Sequence, residues 1–281
     1  MTDQQDRTAV ADRPDLAAVS GELDLAVRTA VAAGRLIAEY SAEGGALADY
    51  KGGFEPVTVA DLASDGLIRD ALAGRRILSE ESSSATWDFG GPLWVVDPLG
   101  GTADFSRNHR CVSVSIAFAV DGEVLAGVVH APFLDETFTA VKGGGAHLNG
   151  RPITAGAPEG LGRSVVGTGF PHDRSDVEPL VERVRRLLTH CEDIRRSASP
   201  ALDVCWTACG RLDAHTEDLR PWDVAAAGLI AVEAGARRGT LPPGEPGTLE
   251  TAGVLPPDLN GEGFVVAAPT IYDDLVALLS G

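Results

Sequence analysis

Basic side chains are scarce in this chain, which has 281 residues. It carries 23 lysines and arginines against 41 aspartates and glutamates, giving a formal net charge of −18, and its only lysines are Lys51 and Lys142. Nucleic-acid backbones and anionic membrane surfaces would repel so negative a protein, so we expect neither as a partner. If the substrate is itself an anion, a selected arginine or a divalent metal must offset the carboxylates around it.

Cysteines and long apolar runs are also sparse, and each absence excludes a class of protein. The four cysteines, Cys111, Cys191, Cys205 and Cys209, have neither the spacing of metal ligands nor the density of a disulfide scaffold. No apolar run is long enough to span a membrane and no signal segment opens the chain, so we expect a cytoplasmic protein. Residues 1–15 are polar and aperiodic, which predicts a loose tail.

What is present favours a folded protein that begins with two helices. Apolar residues make up 44% of the chain, enough for one large domain or two smaller ones. From about Asp15 to Tyr40 they recur at three- and four-residue steps, which predicts an amphipathic helix. Thr58 has the side chain of an N-cap for a second helix, and this would place Asp61 in its first turn.

Two short apolar runs follow, and each ends in acid. "RRILSEESS" reaches Glu80 and Glu81, while "PLWVVDP" reaches Asp97. Both runs are typical of buried strands with carboxylates at their C-terminal ends. β-rich runs on either side of Asp121-Gly122 then predict a hairpin, and "ETFTAV" continues it into an antiparallel meander.

The second half of the chain alternates between strand and helix patterns. "SVVGTGF" predicts a strand, "SDVEPLVERVRRLLTH" a helix, and "PWDVAAAGLIAVEAGA" an apolar helix with Asp223 near its start. We therefore divide the chain into a tail (1–15), an N-terminal α+β sub-domain that holds the site (16–158) and a C-terminal α/β sub-domain (159–281).

The acids at element ends suggest chemistry. Asp61, Glu80, Asp97 and Asp223 would offer hard oxygen ligands on rigid elements, which suits Mg²⁺. The plainer alternative is that an acid at a helix start, such as Asp61 or Asp223, is only a cap. The turn "GGTADF", beginning at Gly100, adds backbone N–H groups that an oxyanion could approach closely.

These motifs together resemble the inositol monophosphatase family of magnesium-dependent, lithium-sensitive sugar phosphatases. "EPVTVAD" resembles the family's V-T-x-x-D, "LSEES" its G-E-E-S, and "WVVDPLGGTADF" its W-x-x-D-P-x-D-G-T-x-N-F. "PWDVAAAGLIAVEAGA" is similar to W-D-x-A-A-G-x-L-I-x-x-E-A-G-G, and "LDAHTEDLRPWD" to the segment before it. The resemblance implies an α/β (α+β) fold, a layered αβαβα sandwich of the sugar phosphatase type, in a homodimer that hydrolyses a small sugar, polyol or nucleoside phosphate.

The resemblance also implies the roles of individual residues. Glu80, Asp97 and the Leu99 carbonyl would hold a first Mg²⁺, Asp97 and Asp223 a second, and Glu80 would help a third. Asp61 and Thr102 would position and deprotonate the attacking water. Amides of Gly101 and Thr102 would bind the phosphate, with Arg196, Glu217 and Asp223 on the substrate side.

Gly100 departs from the family pattern, because the family has a metal-binding Asp at this position. Asp104 adds a carboxylate nearby, which could compensate. The glycine leaves three accounts open: a working enzyme with water in that place, a pseudo-phosphatase that binds a phosphorylated ligand, or an introduced change that disables the enzyme. The family's substrate-contacting acid falls at Thr216 without a gap and at Glu217 with one deletion, so a specialised nucleotide, histidinol-phosphate or fructose-bisphosphate phosphatase also stays open.

Overall fold

The computed structural model describes residues 16–42, 47–51, 55–81, 87–171, 175–241 and 255–281. The predicted tail, residues 1–15, lies outside them. The helices are α1 (Leu16–Ala42), α2 (Val59–Ala71), α3 (Thr102–Phe105), α4 (Glu178–His190), α5 (Pro200–Ala208), α6 (Pro221–Glu233) and α7 (Tyr272–Ser280). The strands are β1 (Leu47–Lys51), β2 (Glu55–Thr58), β3 (Ile77–Ser79), β4 (Pro92–Gly100), β5 (Ser113–Val120), β6 (Glu123–Ala131), β7 (Glu136–Val141), β8 (Ala146–Leu148), β9 (Arg151–Pro152), β10 (Val165–Thr168), β11 (Asp193–Arg195), β12 (Ala214–Glu217), β13 (Arg237–Thr240) and β14 (Phe264–Ala267).

The two N-terminal helices form where the apolar periodicity predicts them. On α1 the buried residues recur along one face at Ala26, Ala30, Ala33 and Ile37. α2 differs, because part of its buried face is polar and includes Asp61. A helix that buries a carboxylate must supply partners for it, so α2 is built around a site as well as around a core.

The larger sheet has seven strands in the order β3-β4-β5-β6-β7-β8-β9. β3 and β4 are parallel and the later neighbours antiparallel, so the predicted meander is confirmed. On β4, Trp94 and Val96 pack in the core that includes α1 and α2, while Leu93 and Val95 pack in the core that includes α5 and α6. The strand is therefore buried on both faces, and its alternation puts Asp97 on the side of α6.

The smaller sheet has the order β11-β10-β12-β14-β13 and mixes parallel with antiparallel pairs. Ala214 and Val265 pack with Leu187 of α4 and Leu275 of α7 in a third core. Helices α5 and α6 lie between the two sheets, so the layers run α1/α2, large sheet, α5/α6, small sheet, α4/α7. The predicted αβαβα sandwich is confirmed, whereas the sub-domain boundary at residue 158 stays a prediction.

Among the described residues, no helix combines the length and the apolar character that a membrane crossing requires.

Candidate active site

Asp61 lies at the third position of α2 and is 1% exposed. Its Oδ2 accepts a hydrogen bond from the Thr58 amide at 2.7 Å and another from the Thr58 hydroxyl. Its Oδ1 accepts one from the Thr102 hydroxyl at 2.8 Å. Asp61 is thus a cap and also the partner of a distant threonine, so the cap alone does not account for it.

The protonation of Asp61 follows from this enclosure. Burial raises the pKa of Asp61, although the hydrogen bonds from Thr58 and Thr102 oppose the rise. A carboxylate that has a raised pKa and accepts a hydrogen bond from a hydroxyl in another turn can take up a proton through that hydroxyl. The predicted pairing of Asp61 with Thr102 is present in the structure.

Asp97 is 1% exposed and lies in β4 before an irregularity in the strand. Burial raises its pKa well above the usual range, and the charges of Asp223 and Asp61 raise it further. Hydrogen bonds with Glu80 and with the Leu99 amide, 3.0 Å from Oδ1, act in the opposite direction. The four predicted acids thus form one interacting group, which we call the Asp97 cluster (Asp61, Glu80, Asp97 and Asp223).

The position of Gly100 bears directly on this cluster. A Cβ added to Gly100 would overlap Oδ2 of Asp97 and would lie 3.5 Å from the Ser113 hydroxyl. The Asp97 carboxylate therefore occupies the space into which a side chain at position 100 would grow. An Asp at this position would require Asp97 to rotate, and the two carboxylates would then share one small volume.

Gly101 forms the turn beneath the cluster. Its backbone is left-handed, with φ at 99°, and an added Cβ would lie 2.8 Å from the Cys111 carbonyl. Both facts exclude larger residues at this position. The four-residue helix α3 that follows leaves amides of its first turn, Thr102 among them, without intrahelical partners, so they are available to an anion.

Asp223 lies at the third position of α6, as Asp61 does on α2. Its Oδ2 accepts a hydrogen bond from the Arg220 amide at 2.8 Å. The preceding residue, Trp222, accepts a hydrogen bond at its carbonyl from Ser115 at 3.1 Å, and Ser115 is the β5 partner of Asp97. The start of α6 is therefore fixed to the strand pair that carries Asp97.

The donor set suits a hard divalent cation in its chemistry. Glu80, Asp97, Asp223 and the Leu99 carbonyl supply only oxygen, and the raised pKa of Asp97 reflects burial together with repulsion by Asp223 and Asp61, which a cation would relieve. In arrangement the set is not complete: within the described ranges, no three histidine, cysteine or acidic side chains are placed to hold one metal ion. The Asp97 carboxylate, directed towards Gly100 and bonded to Leu99, is one physical reason for this.

Thr216 and Glu217, the two candidate positions on β12 for the substrate-side acid, lie in different surroundings. His215 and Glu217 share one face of the strand, and Thr216 lies on the other. A Cβ added to Gly169 would overlap both carboxylate oxygens of Glu217, so that carboxylate lies flat against Gly169. The Thr216 hydroxyl is buried and has no hydrogen-bond partner in the described part of the chain. This placement favours Glu217 over Thr216 as the substrate-side acid.

The predicted arginine is less well placed. Arg196 follows β11 and is exposed, and Arg220, before α6, is also exposed. Neither lies in a buried setting that would orient it, so a role for Arg196 in binding substrate stays a prediction.

Several supporting residues carried no motif signal. The Ser64 hydroxyl donates to the Pro98 carbonyl at 2.7 Å, and the Ser79 hydroxyl donates to Asp65 at 2.6 Å, so α2 fixes the ends of both β4 and β3. Asp61, Ser64 and Asp65 recur at helical spacing, and that polar stripe was the available signal. Ser113 and Ser199, 2.8 Å apart, join β5 to the start of α5 and left no comparable signal.

Known proteins resemble this arrangement over most of the chain. The sequence profile described as "Inositol monophosphatase family" matches residues 20–278. The chain is 39% identical to inositol monophosphatase 1 of Solanum lycopersicum over 197 residues, which is 66% of this chain and 72% of that protein. It is 37% identical to Nus factor SuhB of Escherichia coli (strain K12) over 220 residues, 76% of this chain and 82% of that protein.

A solved structure agrees. The inositol monophosphatase of Anabaena (Nostoc) sp. PCC 7120 matches with a TM-score of 0.77 and 30% identity, covering 93% of this chain and 96% of that one. The profile match extends across the two sheets and the Asp97 cluster. The chain therefore belongs to the inositol monophosphatase family of phosphatases.

Proposed function

We propose that this chain is a magnesium-dependent phosphomonoesterase that acts on a small polyol, sugar or nucleoside phosphate. The observation that carries the proposal is the contact between Thr102 and Asp61, 2.8 Å long, next in sequence to the left-handed turn at Gly101. It brings a carboxylate and a hydroxyl together at one end of β4, beside the amides that we expect to bind phosphate. Family membership supports the same reaction class.

Mg²⁺ would be held by Glu80, Asp97, Asp223 and the Leu99 carbonyl, and when bound it would lower the pKa of water and neutralise charge on the phosphate. Binding requires Asp97 to give up the proton that its raised pKa favours.

The chain's own residues would carry the remaining steps. The Thr102 hydroxyl donates a hydrogen bond to Asp61, so its lone pairs can accept a hydrogen bond from the attacking water and orient that water. The raised pKa of Asp61 suits it to take the proton that the water loses. The amides of Gly101 and Thr102 would bind the phosphate oxygens. Burial raises the pKa of the Cys111 thiol, so this neighbour stays protonated and no phosphoenzyme is expected.

The second candidate function is a pseudo-phosphatase that binds a phosphorylated ligand. The observation that favours it is the overlap of Asp97 with the side-chain space at Gly100. The metal site lacks the carboxylate that the family has at position 100, and the Asp97 carboxylate is directed into that space. Homodimer formation and a cytoplasmic location also stay predictions.

One experiment separates the two candidates. Phosphate release is measured at millimolar Mg²⁺ on inositol, sugar, nucleotide and histidinol phosphates and on fructose bisphosphate, with the natural chain and with Gly100→Asp. Release by the natural chain supports the phosphatase, and the preferred substrate identifies its class, whereas release by Gly100→Asp alone supports the pseudo-phosphatase. If both chains are inert on every ester, the phosphatase proposal fails. A ligand that still binds to Asp97→Asn would then support the binding protein.

A further inference from the structure

A second group of buried charges lies between the two sheets, which we call the His215 cluster (Asp203, His215 and Glu217). The exposed fractions are 1% for Asp203, 1% for His215 and 8% for Glu217. Nδ1 of His215 lies 3.5 Å from Oδ2 of Asp203, and Nε2 lies 3.5 Å from Oε2 of Glu217. The imidazole is therefore placed between two carboxylates from different elements, α5 and β12.

The neighbouring strand makes room for this cluster. Gly167 of β10 pairs with His215, and a Cβ there would lie 2.8 Å from the imidazole Nδ1. Two residues further on, Gly169 lies directly against the Glu217 carboxylate. A glycine thus faces each of the two polar side chains, and any larger residue at either place would displace them.

The charges around the imidazole favour its protonated form. Burial by itself lowers the pKa of His215, but Asp203 and Glu217 outweigh it and raise the pKa to about 9. The Ser197 hydroxyl donates to Asp203 at 2.6 Å, and Arg183 of α4 donates to the Gly169 carbonyl at 2.7 Å.

The outer side of Glu217 carries a further cation. Burial lowers the pKa of Arg183, while the charges of Asp218 and Glu217 raise it. The positive charges of His215 and Arg183 thus both act on Glu217, and Arg183 also fixes the backbone against which that carboxylate rests.

The His215 cluster is connected to the turn at Gly101, the predicted phosphate-binding turn, through Asp203 and Ser199. Burial raises the pKa of the Cys111 thiol and the charges of Asp104 and Asp203 raise it further, while the Cys111 carbonyl would lie 2.8 Å from a Cβ at Gly101. Ser199, which precedes α5, contacts Ser113, the strand partner of Gly100. These contacts connect the Gly101 turn to the helix that carries Asp203, so we place the remaining atoms of a ligand bound at that turn on the side of this cluster.

We propose that His215 is a positioning residue, which holds the Glu217 carboxylate against Gly169 so that it can accept hydrogen bonds from the hydroxyl groups of a polyol phosphate. This inference rests on the proposed function and deepens it, because it assigns the selectivity for hydroxylated esters to one buried imidazole. His215 itself does not touch the ligand. Removing it should weaken recognition of hydroxyl groups and leave recognition of the phosphate unchanged.

The test compares two esters, inositol 1-phosphate and phenyl phosphate, which has no hydroxyl groups. His215→Gln should raise KM for inositol 1-phosphate about tenfold with little change in kcat, and leave both constants for phenyl phosphate within about twofold. Gly169→Ala should reproduce the selective rise with His215 intact, because its Cβ displaces the carboxylate. His147→Gln, in β8 of the other sheet, is the matched control and should change neither KM nor kcat for either ester.

A spectrum that does not depend on turnover completes the test. Nitrogen NMR at about pH 7.5 should show His215 protonated on both nitrogens. His130, whose pKa is lowered by burial, should be neutral in the same sample.

A neutral His215, or an equal loss on both esters in His215→Gln and Gly169→Ala, would overturn the inference alone. Failure of the proposed function is distinguishable, because it requires that neither the natural chain nor Gly100→Asp releases phosphate from any ester of the panel above, and the nitrogen spectrum still decides whether an imidazolium lies between the two carboxylates.

Discussion

The Asp97 cluster and the His215 cluster both bury carboxylates, and they differ in the source of positive charge. In the His215 cluster a histidine lies between two acids, and its pKa rises to about 9. In the Asp97 cluster the charges of Asp223 and Asp61 add to burial, and the pKa of Asp97 rises well above its usual range. One cluster has its charge compensated from within the chain, while in the other the raised pKa of Asp97 favours protonation where a metal ion would bind.

This difference explains why the two clusters respond to different changes. A buried carboxylate beside a fixed cation has its charge compensated without any ligand. Carboxylates that repel each other are relieved by protonation or by a divalent cation, so their state depends on pH and on Mg²⁺. The difference between the clusters should therefore disappear if the repulsion in the Asp97 cluster or the cation in the His215 cluster is removed.

The largest effect is expected for Asp97→Asn. Asp97 belongs to both predicted metal sites, so phosphate release at millimolar Mg²⁺ should fall on the order of a thousandfold. The fold should be retained or stabilised, because a repelled buried charge is removed. Asp274→Asn, on the exposed side of α7, is the control and should behave like the natural chain. Unchanged release in Asp97→Asn would show that the cluster is not catalytic.

The next effect is expected for Gly100→Asp, which adds a carboxylate where Asp97 now lies. Without metal the variant should unfold more easily, because Asp97 is displaced and another charge is buried. With millimolar Mg²⁺ its midpoint should rise above that of the natural chain, and activity should increase roughly ten- to a hundredfold. Thermal unfolding with and without Mg²⁺ measures the shift.

Gly100→Asn separates size from charge at the same position. It makes the same steric demand on Asp97 as Gly100→Asp and adds no carboxylate. A midpoint that responds to Mg²⁺ as strongly in Gly100→Asn as in Gly100→Asp would contradict the metal-binding explanation.

The third prediction concerns pH in the absence of metal. Asp97 has a raised pKa, so the folded state keeps a proton that the unfolded chain releases, and stability should fall as pH rises from about 4 towards that raised pKa. His215 has a folded pKa of about 9 against 6.5, so its contribution is complete below 6.5 and is lost as pH rises through 9. Two windows should result, one that begins near pH 4 and one that begins near pH 6.5.

Urea unfolding at a series of pH values distinguishes these windows. Asp97→Asn should shrink the first, to which Asp61 with its own raised pKa also contributes, and His215→Gln should remove the second, which is worth about 3 kcal/mol. Added Mg²⁺ should change only the first. A second window that persists in His215→Gln would mean that another group titrates there.

The smallest effect is expected for Thr216→Val. The Thr216 hydroxyl is buried without a partner in the described part of the chain, so its removal should raise the free energy of unfolding by up to about 1 kcal/mol. KM and kcat should not change, whereas Glu217→Gln should raise KM for inositol 1-phosphate. A large rise of KM in Thr216→Val would instead assign the substrate-side acid's position to residue 216.

The sequence was most informative where chemistry and local structure coincide. Asp61 and Asp223 were expected at helix starts because capping follows simple rules, and both lie at the third helical position. Asp97 was expected at a strand end, and the structure continues β4 through an irregularity as far as Gly100. The difference arises because strand ends depend on pairing with β5, which local patterns do not encode.

The remaining features depend on contacts between distant segments. The role of His215, in strand β12, could not be assigned from its sequence neighbours, because Asp203 contacts it from helix α5. The choice between Thr216 and Glu217 needed the strand's orientation, since a shift of one residue exchanges the two faces. The overlap of Asp97 with position 100 required atomic positions, because the sequence shows only that a carboxylate is missing.

The contact between Ser113 and Ser199 has a consequence for ligand length. Ser113 is the strand partner of Gly100, and Ser199 precedes the helix that carries Asp203. This pair of hydroxyls, 2.8 Å apart, joins the strand beside the Gly101 turn to the helix that carries Asp203. If both proposals hold, an ester gains from both regions only when the distance between its phosphorus and its hydroxyl groups matches the distance between them.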